Sequence, residues 1–230
     1  MLASQSWARA LLEGVVIVGS ILLAFGVQAW WDARQEAELV DRGLRAILEE
    51  LSVVRRQVVE DIPYSQSAFD NAERLLASLD SVADGAALTV PDTVLAALFW
   101  DYVLDAPTSM VGSFTSSGRL DALRSIELQR ALLEWLSLIE DQRDDQTRTS
   151  QFGVVELRPF LRSHFEVRNA QRVELAEHDP SGSTRLQSTQ ELRNLVEWQR
   201  RWLWRLKGQD VALRLHGEKL DSLVRLELVF

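Results

Sequence analysis

The chain has 230 residues, of which 47% are hydrophobic and 26% are charged, so its composition suits a globular protein with a sizeable core. The formal net charge of -9 argues against a nucleic-acid-binding protein, because phosphate contacts need a basic face. The absence of cysteine excludes disulfides, thiolate zinc sites and cysteine nucleophiles.

The first feature along the chain is the apolar stretch EGVVIVGSILLAFGVQAWWD, which has no charged residue between Glu13 and Asp32. As a helix, residues 14–31 would be about 27 Å long, which is close to the hydrocarbon thickness of a bilayer. We interpret 13–31 as a retained transmembrane helix, 1–12 as a short cytoplasmic N-terminus and 32–230 as a soluble helical-bundle domain. A signal peptide cleaved after Ala29 and a buried soluble helix are the alternatives.

Two faces of this apolar helix carry different patterns. Small and polar residues share one face, and such faces let membrane helices approach closely and hydrogen-bond; they are Glu13, Ser20, Ala24 and Gln28. This face predicts contact with a protein partner or a second copy of the chain. Glu13 is either a functional ionisable group in the membrane or a solvated residue at the headgroups.

A second stripe recurs at steps of three and four and continues far beyond the apolar stretch, which predicts one long helix ending near Pro63. Its members include Gly19, Gly26, Leu44, Ile47 and Leu51. The pattern is typical of a bundle or coiled-coil seam. We favour an intramolecular bundle, with a homomeric coiled coil as the alternative.

The rest of the chain is predicted to be helical. Helices are expected over 68–82, after Pro91, from 119 to 177 with bends near Gly153 and Pro159, and from about Thr189 onward. Residues 105–118 and 178–184 are expected to be loops, and no strand is predicted. The fold class is therefore all-α, with a transmembrane helix continuing into a bundle that has long first and last helices.

The last helix carries its own seam, at positions Leu192, Leu195, Gln199, Trp202, Leu206, Gln209, Leu213, His216, Leu220 and Leu223. We expect its first part to pack against the stripe from Leu44 to Val54, with Trp202 in the core. Beside this seam, an exposed partner or lipid surface is predicted at Trp198, Arg201, Trp204 and Arg205, with ordinary packing as the alternative.

Catalytic and metal-binding patterns are weak throughout. The histidines His164, His178 and His216 are far apart, and none has a ligand partner three or four residues away. The carboxylates of EDQRDDQ at 140–146 are expected to form a solvated helix face. We therefore predict no catalytic residue, no metal and no cofactor.

Three segments resemble an uncharacterised family of bacterial single-pass membrane proteins, a domain of unknown function whose membrane helix reads E-hydrophobic-G-I-L-I-A-L-x4-W. The segments are EGVVIVGSILLAFGVQAWW, TSSGRLDALRSIELQRALLEWLSLIED and ELRNLVEWQRRWLWRL. The matching positions are Glu13, Gly19, Ala24 and Trp30 or Trp31, and further along Ser116, Ser117, Gly118, Leu120, Leu128 and Leu132. The resemblance implies an inner-membrane protein with its N-terminus in the cytoplasm and its domain in the periplasm.

No activity follows from that resemblance. We expect a non-enzymatic interaction or assembly module that contacts lipid and either a protein partner or another copy through the membrane helix. The alternative is an extracytoplasmic ligand-sensing domain that signals through a partner membrane protein, with a small-molecule ligand of unknown identity.

Overall fold

The computed structural model describes residues 3–99, 103–166 and 182–229, and its regular structure is almost entirely helical, as the sequence predicts. The first helix, α1 (Ala3–Asp80), has 78 residues and is therefore about 117 Å long. The last helix, α6 (Gln190–Val229), has 40 residues. The all-α class with long first and last helices is confirmed.

Between these two helices the chain forms shorter elements. After α1 come β1 (Ala87–Pro91), α2 (Asp92–Leu95), a 3-10 turn (Ala96–Leu98), α3 (Ser109–Ser116) and a second 3-10 turn (Arg119–Ala122). They are followed by α4 (Ile126–Phe152), a π-helical segment (Gly153–Leu157), α5 (Arg158–His164) and β2 (Ser183–Gln187). Among the described residues, the helix predicted after Pro91 is only the short helix α2 and the 3-10 turn that follows it. The helix predicted over 167–177 lies outside the described residues.

Pro63 does not end the first helix, contrary to the sequence prediction. Proline lacks the N–H that would bond to the carbonyl of Val59, and this normally destabilises a helix interior. Both residues are exposed, so water can solvate that carbonyl. Both halves of α1 pack against α6, and this packing holds the helix together across the proline.

The domain is a bundle of three long helices, in which α6 runs antiparallel to α1 and α4. Arg55 pairs with Asp221 at 3.6 Å, whereas Arg200 pairs with Glu73 at 3.4 Å, so residue numbers fall on α6 as they rise on α1. The predicted packing of the first against the last helix is confirmed. The predicted pairing of residues between the two helices was wrong. The stripe from Leu44 to Val58 packs in one cluster with the C-terminal part of α6, at Leu213, Leu220 and Val224.

The seam of α6 is half correct. Every seventh residue of the predicted set is buried, at Leu192, Gln199, Leu206, Leu213 and Leu220. The second set is shifted by one residue, to Val196, Leu203, Asp210, Gly217 and Val224. Trp202 is accordingly half-buried and outside the apolar core. The burial of this second set could not be predicted from the apolar pattern, because Asp210 is polar and Gly217 has no side chain.

Helix α3 lies within a segment predicted as a loop. Its backbone N–H groups at Met110 and Val111 donate to the carboxylate of Glu50 at 2.8 and 3.2 Å, and Glu50 is buried on α1. A carboxylate at a helix N-terminus satisfies orphan donors and the helix dipole. The N-cap residue Thr108 makes no side-chain capping bond, so the capping group comes from sixty residues away in sequence.

Two strands were missed by the sequence prediction. β1 and β2 pair antiparallel, with Val90 opposite Thr184 and Leu88 opposite Leu186. Each strand has five residues, too few for alternation to stand out from a helical pattern. The Thr184 hydroxyl donates to the buried Asp92 carboxylate at 2.7 Å, which ties the sheet to α2.

Candidate functional site

The N-terminal part of α1 projects from the bundle and is exposed on every side. From Val16 to Trp31 all described side chains are exposed, with Leu22 at 66% and Phe25 at 68%. Burial begins only at Val40, where the bundle starts. By length and composition, this helix could cross a membrane. No residue of its most apolar stretch is buried in the protein.

The residues predicted for membrane-helix contact all lie on this projecting segment. Glu13, Ser20, Ala24 and Gln28 are exposed, and the last three line one shallow hollow on the helix. The Ser20 hydroxyl donates to the Val16 carbonyl at 2.7 Å. A Cβ built at Gly19 or Gly26, from the predicted seam, would meet nothing within 4 Å, whereas Leu44, Ile47 and Leu51 are core residues.

A pocket of about 660 Å³ opens at the opposite end of the domain, between α6 and the end of α4. Its apolar walls are Phe152, Val155, Trp198 and Trp202, and its polar lining is Arg148, Gln151 and Glu156. Trp198 and Trp202 are one helical turn apart, so their side chains share a face of α6. Trp198 remains 51% exposed, which is unusual for so large an apolar ring.

One wall of this pocket belongs to the π-helical segment Gly153–Leu157. A π-helical turn holds one residue more than an α-turn, and such bulges occur often at functional sites. Here the turn presents Val154 and Val155 outward, at 52% and 69% exposure. Only Val155 of these two lines the pocket.

The predicted partner or lipid surface lies beside the pocket but is not uniform. The Arg201 guanidinium lies 5.2 Å from the centre of the Trp198 ring, and Trp204 is exposed. Arg205 instead donates to the buried Asp145 carboxylate, so it belongs partly to the interior. On the same helix, a hydrogen bond from Arg200 holds the pKa of Glu197 below its ordinary value.

A layer of buried polar side chains crosses the bundle between its apolar clusters, and the sequence analysis missed it. Asp145 was predicted on a solvated face but is only 1% exposed, and it accepts a hydrogen bond from Gln209 at 2.6 Å. Gln142 donates to Asp210 at 3.1 Å. These hydrogen bonds join α4 to α6 in the interior of the bundle. The sequence signal of this layer was the polar residues recurring at seam spacing in 142–149.

The two histidines that the structure describes lie on different helices. His164 is exposed on α5, whereas His216 is nearly buried on α6 with its Nε2 atom 2.8 Å from the Ala131 carbonyl oxygen. His178 lies outside the described residues. Within 3–99, 103–166 and 182–229, no group of three or more metal-ligating side chains is placed to hold an ion.

The apolar segment of α1 and the pocket at Trp198 lie far apart along the molecule. Arg200 pairs with Glu73, which follows Asp32 by forty-one residues on the same helix. At 1.5 Å per residue, the pocket region stands about 60 Å along α1 from the end of the apolar segment.

Comparisons with known proteins give no relative: no family model, no curated protein and no solved structure matches this chain.

Proposed function

We propose that this chain is a single-pass protein of the bacterial inner membrane, in which 13–31 spans the bilayer and the bundle stands in the periplasm as a non-enzymatic interaction or assembly module. The observation that carries the proposal is the exposure of apolar side chains on all sides of α1 from Val16 to Trp31. The same helix continues without interruption into the bundle.

Water is an unfavourable environment for this segment. Leaving one Leu, Ile or Phe side chain exposed forgoes roughly 1.5–3 kcal/mol of burial free energy. A helix that docks on a neighbour is apolar along one stripe, whereas a helix apolar on all sides suits surrounding lipid. Trp30 and Trp31 at the bundle-side end fit an interfacial aromatic pair, and Arg34 lies 6.0 Å from the Trp30 ring centre.

The spacing of about 60 Å also bears on the surface at Trp198, Arg201 and Trp204. A rigid helix of that length holds these side chains away from the bilayer that anchors the chain. We therefore assign this surface to a soluble or protein partner rather than to lipid headgroups.

Membrane extraction tests the anchor. The full-length chain should stay in the membrane pellet after alkaline carbonate washing. Replacing Leu22 and Phe25 together by arginine should release it, because each arginine at mid-span costs about 2.5–3.5 kcal/mol on the insertion scale. The matched control places the same two charges at the exposed Ala33 and Ala37, which should leave the chain in the pellet. Release of the unaltered chain by the carbonate wash, or release of both variants to the same extent, would refute the transmembrane anchor.

Reporter fusions test the orientation separately. Alkaline phosphatase joined after the last residue should be active if the domain is periplasmic, whereas green fluorescent protein at that point should be dark. The opposite pair of signals would reverse the topology and leave the anchor in place.

A ligand-sensing domain is the second candidate, and the pocket at Trp198 and Trp202 favours it. The core below the pocket contains Leu157 together with Leu75 and Leu79 of α1. A change at the pocket could thus reach the membrane segment through one continuous helix. Sensing would require that a ligand alter contacts of the full chain with a partner membrane protein.

A further inference from the structure

We propose that the pocket between α4 and α6 binds the flat aromatic ring system of a small molecule. This inference goes beyond the anchoring role and stands independently of it, since it concerns only the membrane-distal end of the bundle.

The size of the pocket is the first argument. Its volume of about 660 Å³ is in the range of small-molecule sites, which is roughly 300–1,000 Å³. Such sites are mostly apolar with a few polar groups that orient the ligand. This pocket has that composition.

The chemistry of its walls is the second argument. Aromatic side chains line this pocket, or slot, from two helices, with Trp198 and Trp202 on α6 and Phe152 on α4. Flat rings gain from offset or edge-to-face packing against such side chains, in addition to the burial of apolar area. An aliphatic ligand would gain only the burial, so the walls favour a ring.

The polar lining indicates a ligand without a large net charge. Arg148 and Glu156 contribute opposite charges, and Gln151 contributes an amide that both donates and accepts. Arg148 is only loosely engaged, since its contacts to Asp144 and Asp145 are both 3.9 Å long. These groups can hydrogen-bond to substituents at the edge of a ring while the ring itself packs against the aromatic side chains.

The π-helical turn is the third argument. It places Val155 at the slot and leaves this side chain 69% exposed, although an apolar side chain is more favourable when buried. A ligand in the slot would cover Val155 and the exposed part of Trp198. An occupant of the slot would thus account for the exposure of these two side chains.

The test uses the full chain in detergent with fluorotryptophan at all eight tryptophans, followed by fluorine NMR. The probes are naphthol and decalol, which share a carbon skeleton and a hydroxyl but differ in flatness. Trp198→Phe and Trp202→Phe variants assign the two pocket signals. Trp30 and Trp31 report probe partition into the detergent, and the fully buried Trp135 reports non-specific change.

Naphthol should shift the Trp198 and Trp202 signals saturably while the Trp135 signal stays in place. Decalol should bind at least about ten-fold more weakly, since it cannot stack on two or three rings. Val155→Trp fills the slot and should weaken naphthol binding by a similar factor. Val154→Trp, on the same exposed turn but outside the slot, should leave it unchanged within about two-fold.

Three results would overturn the proposal. They are the absence of a saturable shift at the two pocket tryptophans, equal binding of naphthol and decalol, and equal effects of Val155→Trp and Val154→Trp. Because both valines are exposed, neither variant should unfold the domain, and a melting curve of each verifies this. None of these results bears on carbonate extraction, so the failure of this inference is distinguishable from failure of the anchor.

Discussion

Two glycines in helix interiors are expected to respond differently when replaced by alanine. Gly43 lies on α1 against α3, and a Cβ built there would come within 2.7 Å of the Phe114 ring. Gly208 lies on α6, is exposed, and a Cβ there would meet nothing within 4 Å. The two substitutions make the same chemical change in different surroundings.

The magnitudes follow from two opposing terms. Alanine is about 0.8–1.0 kcal/mol more favourable than glycine in a helix interior, so Gly208→Ala should stabilise the domain by up to that amount. Gly43→Ala gains the same helix-propensity free energy but must displace the Phe114 ring, which belongs to the apolar core. Such overpacking costs about 1–3 kcal/mol. The free energies of unfolding of the two variants should therefore differ by about 1–3 kcal/mol, with Gly43→Ala the less stable.

Chemical denaturation of the full chain in detergent, followed by far-ultraviolet circular dichroism, measures this difference. Phe114→Leu supplies the control, because the smaller side chain leaves room for the new methyl group. Gly43→Ala should cost less in the Phe114→Leu background than in the original chain, which a double-mutant cycle reports. If Gly43→Ala stabilises as much as Gly208→Ala does, the close approach of α3 to α1 is refuted.

Three further predictions concern single residues. Glu50→Ala should destabilise the domain by about 1.5–3 kcal/mol, since it removes charge-assisted bonds to α3, whereas the exposed neighbour Glu49→Ala should be nearly neutral in the same denaturation assay. Pro63→Ala should stabilise by about 1–3 kcal/mol, because it restores a helix-interior N–H at an exposed position; an unchanged midpoint would contradict the uninterrupted helix. The hydrogen bond between Glu127 and Lys219 lowers the pKa of the glutamate from 4.5 and raises that of the lysine from 10.5. Its contribution is present between those ordinary values and is lost as the pH falls through the lowered carboxyl pKa or rises through the raised amine pKa. The stability difference between the original chain and Lys219→Met should be largest at neutral pH, and a difference that grows in acid would refute the pairing.

The features that follow from the sequence alone are those set by neighbouring residues of the same helix. The burial of Leu44, Ile47 and Leu51 follows from spacing alone, because side chains three or four residues apart share a helix face. One of the two seven-residue series on α6, from Leu192 to Leu220, follows for the same reason. The apolar stretch before Asp32 is likewise a local property of composition and length.

The tertiary structure decided the features that depend on residues distant in sequence. Helix α1 continues past Pro63 because α6 packs on both of its halves, and α3 forms because Glu50 caps it. The second seam of α6 contains Asp210 and Gly217, which take core positions only because Gln142 and the Arg55 and Trp135 side chains lie opposite them. The slot at Trp198 and Trp202 requires Phe152 and Val155 from another helix. Periodicity along a helix determines which face is buried, but it contains no information about which partner covers that face or at what level. The sequence by itself therefore determined most of the helices, the apolar segment and most of the buried faces. The continuation of α1 past Pro63, helix α3, the pairing, the polar layer and the pocket arose only when three helices packed together.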